Sequence, residues 1–249
     1  MSAVIWHDIE CGAYAEDLPL WRSLAASRGD PVLDVGAGTG RVALDLARAG
    51  YQVTALDRDP DLLDALAARA SGRKSELLRP SSRPPVRTVV GDARDFDLGQ
   101  QFPLVIVPMQ TIQLLGGDEG RVAFLRCAHK HLTPGGVLAA AIAEVLELYE
   151  VIDGFEAPLP DIREYDGVVY SSQPTAVRAE HGGFVLERRR ETVAPKGERT
   201  VEENLIRLDG LTGRGLEREG RAAGFTPAGR ATVRATADYS GSEVVMLRA

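Results

Sequence analysis

Cysteine and long hydrophobic runs are both scarce in this sequence. Its 249 residues include two cysteines, Cys11 and Cys127, which lie far apart and outside any CxxC pattern. This spacing supports neither a disulfide framework nor a zinc site, so we expect two buried thiols and no metal. No apolar run approaches the roughly 18 residues of a membrane helix, and the acidic N terminus is unlike a secretory signal. We therefore expect a cytoplasmic protein without a membrane span.

Positive charge is also in short supply, because the formal net charge is −7. Binding nucleic acid or an anionic membrane through phosphates requires a cationic face, so we expect neither as a main partner. A hydrophobic content of 44% over 249 residues is enough for one substantial core with an appended region. The composition is therefore typical of an ordinary soluble enzyme.

The stretch 32–41 is predicted to form a strand, a tight turn and a helix. Its apolar first part is followed by Gly36, Gly38 and Gly40, and then by apolar residues at helical spacing. Glycine suits such a turn because a Cβ atom blocks both positive φ angles and a close approach of the backbone to a ligand. We therefore expect a ligand at this turn.

The charges near the turn favour a cationic ligand over a dinucleotide. The dinucleotide fingerprint has a third glycine at its sixth position, where this chain has Arg41. Three predicted strands end in carboxylates, at Asp34, Asp57 and Asp92. Crowded carboxylates would repel a pyrophosphate but suit a ligand that carries a sulfonium and an ammonium group. S-adenosylmethionine has that charge pattern.

Five motifs follow one another along the first 140 or so positions of the chain. They are VLDVGAGTGR at 32–41, ALDR at 55–58, GDA at 91–93, LVIVP at 104–108 and LTPGGV at 132–137. In this order and spacing they resemble the class I S-adenosylmethionine-dependent methyltransferases. The resemblance implies an α/β fold, with a Rossmann-like seven-stranded methyltransferase sheet and an antiparallel β insertion after strand five.

The resemblance and the strand patterns together divide the chain into four parts. Residues 1–30 are predicted to be an N-terminal helical lid, with a helix over 14–26, and residues 31–150 the S-adenosylmethionine-binding core. Residues 151–210 are predicted to be the antiparallel insertion, which would roof the acceptor pocket or form a dimer contact. Residues 211–249 would close the core with a helix and a hairpin. The exposed strands of the insertion would allow a homodimer.

The resemblance implies S-adenosylmethionine as cofactor, S-adenosylhomocysteine as product, and a role for each motif. The turn glycines would let the backbone approach the methionine part, which Asp34 would support. Asp57 would bind the ribose, while Asp92 and Ala93 would bind the adenine. The predicted cofactor-binding residues are Asp34, Gly36, Ala37, Gly38, Gly40, Asp57, Arg58, Asp92, Ala93, Met109 and Gln110.

The predicted reaction is in-line methyl transfer to a nitrogen, oxygen or carbon atom of a small molecule or short peptide. Much of the acceleration would come from proximity and orientation. An oxygen acceptor would need a base, for which Glu144, His181 and Tyr14 are the candidates in that order. Gln113, Tyr14 and Glu144 are predicted to contact the acceptor. Each base candidate has a structural alternative: helix capping for Glu144, an exposed turn for His181, and cover for the methionine part for Tyr14.

Two other functions fit part of the sequence. A noncatalytic or pericyclic S-adenosylmethionine-binding protein would have the same fold. A nicotinamide-dependent oxidoreductase shares the strand, glycine turn and helix, although Arg41 and the additional carboxylates speak against it. Bacterial secondary metabolism is the expected setting, on the resemblance and the composition, and the acceptor itself is left open.

Overall fold

The computed structural model describes residues 2–71, 86–152, 157–236 and 239–249. The chain forms two units: a core unit of Tyr14–Glu144 and Leu211–Ala249, and an insertion unit of Met1–Ala13 and Val145–Gly210. The described α-helices are α1 (Ser2–Cys11), α2 (Leu18–Arg28), α3 (Arg41–Arg48), α4 (Pro60–Ala70), α5 (Gly117–Lys130) and α6 (Gly213–Ala222). The described strands are β1 (Val32–Val35), β2 (Val53–Asp57), β3 (Val86–Val90), β4 (Phe102–Val107), β5 (Leu132–Ile142), β6 (Tyr149–Glu150), β7 (Asp161–Tyr165), β8 (Val168–Glu180), β9 (Gly183–Val193), β10 (Arg199–Asp209), β11 (Thr226–Val233) and β12 (Ser242–Arg248).

A seven-stranded sheet organises the core unit. Its order is β11-β12-β5-β4-β1-β2-β3, in which β1 to β5 run parallel and β12 is antiparallel to both neighbours. Strands β1 and β4 are buried almost throughout, as expected of parallel strands covered on both faces. Chain order reverses between β1 and β4, so their carboxyl ends border the crevice in which such sheets bind ligands. The predicted α/β fold, with its antiparallel insertion after strand five, is confirmed.

Two helix starts show what local sequence can and cannot predict. Asp59 followed by Pro60 is a local pattern typical of a helix start, and α4 begins there because Asp59 Oδ1 accepts hydrogen bonds from the amides of Asp61 and Leu62 at 2.9 and 3.4 Å. Helix α2 covers Leu18–Arg28, whereas the sequence predicted a helix over 14–26. A helix that began at residue 14 would hold Pro19 in its interior, where proline lacks an N–H and clashes with the preceding turn. The structure has Pro19 in the first turn instead.

The insertion unit is an antiparallel sheet with α1 on one face. Its strand order is β10-β9-β8-β6, and β7 also pairs with β8. Helix α1 buries Ile5, Trp6 and Ile9, and the Trp6 ring meets the Tyr170 ring edge-on at 5.4 Å. The same helix places Glu10 within 2.7 and 2.8 Å of two guanidinium nitrogens of Arg190. These contacts attach α1 to β8 and β9.

The two N-terminal helices therefore belong to different units. The sequence grouped residues 1–30 as one helical lid, whereas the structure divides them between Ala13 and Tyr14. The apolar face of α1 and the Glu10 ion pair explain why α1 packs on the insertion sheet. The lid function of this segment stays a prediction.

The two cysteines are free thiols; Cys127 is buried and Cys11 is half-buried. No helix within the described residues has the length and hydrophobicity to cross a membrane. In the same part of the chain, no three His, Cys, Asp or Glu side chains group in a way that could hold a metal ion.

Candidate cofactor site

The turn after β1 has glycine where the backbone requires it. Gly36, Gly38 and Gly40 have φ angles of 71°, 54° and 92°. These values lie in the left-handed region that residues with a Cβ rarely adopt. A Cβ on Gly36 would also lie 2.3 Å from Thr111 Cγ2, which follows strand β4. The turn therefore packs directly against the residues that follow β4.

Asp57, the last residue of β2, connects its carboxylate to this turn. Its Oδ2 accepts a hydrogen bond from the Gly38 amide at 2.8 Å, and its Oδ1 accepts one from the Asp59 amide at 3.0 Å. Each carboxylate oxygen can accept a further hydrogen bond. Asp57 is half-buried. These two hydrogen bonds hold its carboxylate beside the turn, where it can still accept hydrogen bonds from the two hydroxyl groups of a diol.

Asp34 is the most unusual side chain of the site, because it is 1% exposed and neither of its carboxylate oxygens has a hydrogen-bond partner among the described residues. Burial raises its pKa to about 7, and Asp57 and Asp17 act in the same direction. The positive charge of Arg41 and the nearby backbone amide of Ala43 act in the opposite direction and lower the pKa of Asp34. The Ala43 amide is nevertheless not placed to form a hydrogen bond of normal geometry with the Asp34 carboxylate. A buried acceptor without a donor is costly, so this position favours a ligand that brings one.

Asp92 occupies the place predicted for an adenine contact, but its carboxylate is already paired. Arg94 donates to both Asp92 oxygens, at 2.6 to 3.1 Å, and holds the pKa of Asp92 at about 2. The Asp92 side chain is 45% exposed. Ala93 is half-buried and packs against the core, while Arg58 is exposed. The sequence did not predict the Arg94 contact, which an adenine amino group would have to share or displace.

The turn after β4 is held in an uncommon backbone conformation. Met109 has a φ angle of 54° although it is not glycine, and such strain concentrates at functional sites. The hydroxyl of Thr111 donates to the Pro108 carbonyl at 3.1 Å. The Gln110 carbonyl accepts from the Gln113 amide at 2.8 Å. Met109 and Gln110 are both half-buried here, at the edge of the crevice, as the predicted cofactor contacts would need.

Gln113 was predicted to contact the acceptor. Its side chain is completely buried, and both of its polar atoms bond to the backbone of Ala143. Gln113 therefore holds the end of β5 in this structure, and its contact with an acceptor stays a prediction.

A buried ion pair that the sequence did not predict lies beside the turn. Arg41 donates to both carboxylate oxygens of Asp17 at 2.5 and 2.8 Å, and Trp21 Nε1 donates to Asp17 at 2.8 Å. Arg41 also donates to the Tyr14 carbonyl at 3.0 Å and lies 5.0 Å from the centre of its ring. The only signal in the sequence was Arg41 itself, at the position where a dinucleotide site has glycine.

Tyr14, Glu144 and His181 were the predicted bases. Burial, together with Asp17, raises the pKa of Tyr14, so its phenol stays protonated near neutrality and is poorly suited to act as a base. Glu144 is exposed, and its Oε2 accepts a hydrogen bond from the Gly213 amide at 3.0 Å. This bond is the helix-capping alternative for Glu144, and its carboxylate still faces solvent. His181 is exposed in the turn between β8 and β9 of the insertion unit.

Comparison with known proteins finds similarity to methyltransferases over part of the chain. Residues 32–136 match the family described as methyltransferase domain. A cypemycin N-terminal methyltransferase from a Streptomyces species is 35% identical over 108 residues, which are 43% of this chain and 40% of that protein. The chain thus aligns with about two fifths of the length of that curated relative.

Solved structures match over nearly the whole chain. The CcbJ methyltransferase from Streptomyces caelestis has a TM-score of 0.69 at 21% identity, covering 97% of this chain and 95% of its own. CalS10 from Micromonospora echinaspora, an amino pentose methyltransferase of calicheamicin biosynthesis, has a TM-score of 0.67 at 23% identity, covering 96% and 93%. Identities this low establish the shared fold alone.

The sheet order, the glycine turn and the carboxylates at the strand ends define the class I S-adenosylmethionine-dependent methyltransferase fold. Residues 32–136, which match the methyltransferase-domain family, lie within this fold.

Proposed function

We propose that this protein transfers a methyl group from S-adenosylmethionine to a nitrogen or oxygen atom of a small molecule or short peptide in bacterial secondary metabolism. The observation that carries the proposal is Asp34, a buried carboxylate with no donor of its own beside a glycine turn. An ammonium-bearing cofactor would supply that donor. The names of similar proteins, which include an N-terminal and an amino pentose methyltransferase, support an amine acceptor.

The residues present fit this cofactor. Asp34 would accept a hydrogen bond from the ammonium group, directly or through water, and Asp57 would accept hydrogen bonds from the ribose. The turn at Gly36 and Gly38 would allow the close approach of the methionine part. When bound, S-adenosylmethionine supplies an activated methyl group on a sulfonium and leaves as S-adenosylhomocysteine.

The chain's own contribution would be orientation and proton removal. The cofactor would supply the methyl carbon to the acceptor's lone pair, and the electron pair of its carbon–sulfur bond would stay on sulfur. Holding the acceptor in line accounts for much of the acceleration. An amine becomes a cation on methylation, and its proton would pass to solvent or to Glu144, the exposed carboxylate after β5. An amine that arrives neutral needs no further base.

Calorimetric titration with S-adenosylmethionine, S-adenosylhomocysteine and reduced nicotinamide dinucleotide tests the cofactor. Micromolar binding of the first two alone is expected. Binding of the nicotinamide alone would overturn the proposal in favour of an oxidoreductase. With the cofactor established, a panel of amines, amino sugars and short peptides, scored by release of S-adenosylhomocysteine, tests the transfer. Cofactor binding without any product across the panel would instead favour the noncatalytic or pericyclic alternative.

The variant Asp57→Ala tests the ribose contact. It should weaken S-adenosylmethionine binding by about 1.5 to 3 kcal/mol, the range for a lost hydrogen bond to a charged group. Asp64→Ala removes an exposed carboxylate of α4 and is the matched control, with unchanged affinity expected. Thermal melting of both variants shows whether the turn still folds. Unchanged affinity in Asp57→Ala would remove Asp57 from the site.

A further inference from the structure

The ends of β4 and β5 are joined by a side chain instead of by backbone. Gln113 Nε2 donates to the Ala143 carbonyl at 3.1 Å, and Gln113 Oε1 accepts from the Ala143 amide at 2.8 Å. Both residues are completely buried. The amide of one side chain thus satisfies both polar groups of one backbone residue.

This arrangement extends the sheet beyond the end of β4. The last pair of the β4–β5 ladder is Val107 with Ala140, after which β4 turns away and β5 continues. A carboxamide places an N–H donor and an acceptor oxygen side by side with the spacing of a peptide group, so Gln113 substitutes for the missing strand residue. Without it, a buried N–H and a buried C=O of Ala143 would have no partner among the described residues, and such groups are costly.

We call the two hydrogen bonds between the Gln113 side chain and the Ala143 backbone the Gln113 clamp. The next residue after Ala143 is Glu144, so the clamp also restrains the backbone of Glu144. Its Oε2 accepts a hydrogen bond from the Gly213 amide at 3.0 Å. Its side chain is nevertheless exposed. Glu144 is thus the first exposed residue after the buried end of β5. Its backbone is restrained through Gln113 and its carboxylate through Gly213.

We propose that Gln113 is a positioning residue for methyl transfer, which holds the end of β5 so that Glu144 presents its carboxylate to the acceptor. This inference rests on the proposed function. It replaces direct contact between Gln113 and the substrate with an effect that passes through the backbone of Ala143. It requires that Gln113 and Glu144 act on the same step.

The first test uses two nearly isosteric variants. Gln113→Leu keeps the volume and removes both hydrogen bonds. Gln113→Glu can reproduce them only when its carboxyl group is protonated, because the ionised form has no donor for the Ala143 carbonyl. Gln101→Leu is the matched control, since Gln101 also donates its amide to a backbone carbonyl, that of Lys130, but at the opposite end of β4 and on the surface.

Amide hydrogen exchange at Ala143, followed by NMR in the free protein, measures the hydrogen bond from this amide to Gln113. The measurement needs no methyl acceptor. Exchange should accelerate at least tenfold in Gln113→Leu. In Gln113→Glu the Ala143 amide should stay protected at every pH beyond the ordinary pH dependence of exchange, because the carboxyl group keeps an oxygen that accepts from this amide in both protonation states. Wild-type protection in Gln113→Leu would overturn the proposal, whatever the protein's activity.

The second test is a double-mutant cycle with Glu144→Gln, measured with the acceptor that the panel identifies. Gln113→Leu should lower kcat at least tenfold while leaving the Kd for S-adenosylmethionine within threefold. In the Glu144→Gln background, Gln113→Leu should lower kcat only slightly further, because both residues act on the same step. Gln113→Glu should lose kcat as pH rises through the titration of the introduced carboxyl, whereas Gln113→Leu should be impaired at every pH.

Additive losses, or a normal kcat in Gln113→Leu, would overturn the positioning role. Failure of the proposed function is distinguishable from this result. It would appear in the wild-type protein, as absence of S-adenosylmethionine binding or of any product, while the exchange at Ala143 would still report the clamp.

Discussion

At the scale of single residues, Asp34 connects burial to cofactor chemistry. A carboxylate that is 1% exposed with no hydrogen bonds among the described residues is held in an unfavourable state by the fold around it. Its position at the end of β1 was predictable from the sequence, because the strand and glycine turn are local patterns. Its isolation was not, because burial depends on helices and strands that pack around it from elsewhere in the chain.

The raised pKa of Asp34 makes cofactor affinity depend on pH. In the folded free protein this pKa is about 7, against an ordinary value of 3.8, so the carboxyl is mostly protonated below pH 7. An ammonium ligand binds the ionised form. The Kd for S-adenosylmethionine should therefore fall roughly tenfold per unit as pH rises from 5 towards 7, and level off above it.

Stability of the free protein should follow the opposite trend. Because the folded pKa of Asp34 lies above the unfolded one, its contribution to stability is greatest below pH 4 and is lost as pH rises to about 7. Calorimetry from pH 5 to 8 on wild type and Asp34→Asn checks the binding trend, and urea unfolding of the same pair checks the stability trend. A wild-type affinity as flat with pH as that of Asp34→Asn would contradict the binding trend, and the same pH dependence of unfolding in both proteins would contradict the stability trend.

At the scale of elements, two ion pairs join α2 and the residues before it to α3, in very different surroundings. Arg41 and Asp17 are 10% and 2% exposed, whereas Arg22, paired with Asp45, is 51% exposed. Both pairs are bidentate, with contacts of 2.5 to 2.8 Å. Neither could be predicted, because side-chain pairing across about two dozen residues leaves no periodic signal in the sequence.

The two pairs make a matched comparison. Arg41→Met should lower the free energy of unfolding by about 3 to 5 kcal/mol, because it leaves the buried Asp17 carboxylate without its cation. Arg22→Met should cost less than about 1 kcal/mol, as expected for a pair with one solvent-exposed partner. Urea unfolding measures both. Equal losses in the two variants would show that burial does not distinguish them.

At the scale of the whole molecule, the insertion unit leaves one long strand edge open. Strand β10 has 11 residues, and within the described part of the chain no strand pairs with its outer side. Val201 and Leu205 on this strand are 44% and 49% exposed. Unpaired edges of this length tend to pair with another chain. The homodimer that the sequence allowed stays a prediction, and β10 is where we expect it.

An antiparallel self-pairing of β10 that is centred on Leu205 sets Leu205 against Leu205 of a second copy and Glu203 against Arg207 on either side. Leu205→Lys should therefore shift a wild-type dimer to monomer in sedimentation velocity. Ile162→Lys, at an exposed position of β7, is the control and should leave the dimer intact. A wild-type protein that stays monomeric at high micromolar concentration would refute the prediction.

The sequence by itself determined the class of fold, the glycine turn, the carboxylates at the strand ends and the start of α4. These features depend on short-range patterns: glycine where φ is positive, alternation or burial along a strand, and a capping aspartate before a proline. Tertiary structure alone decided that Gln113 binds Ala143, that Asp17 binds Arg41, and that Glu10 of α1 binds Arg190, 180 residues away. Such pairs depend on which strand ends and helix faces meet in space, and that meeting is set by the packing of the whole chain.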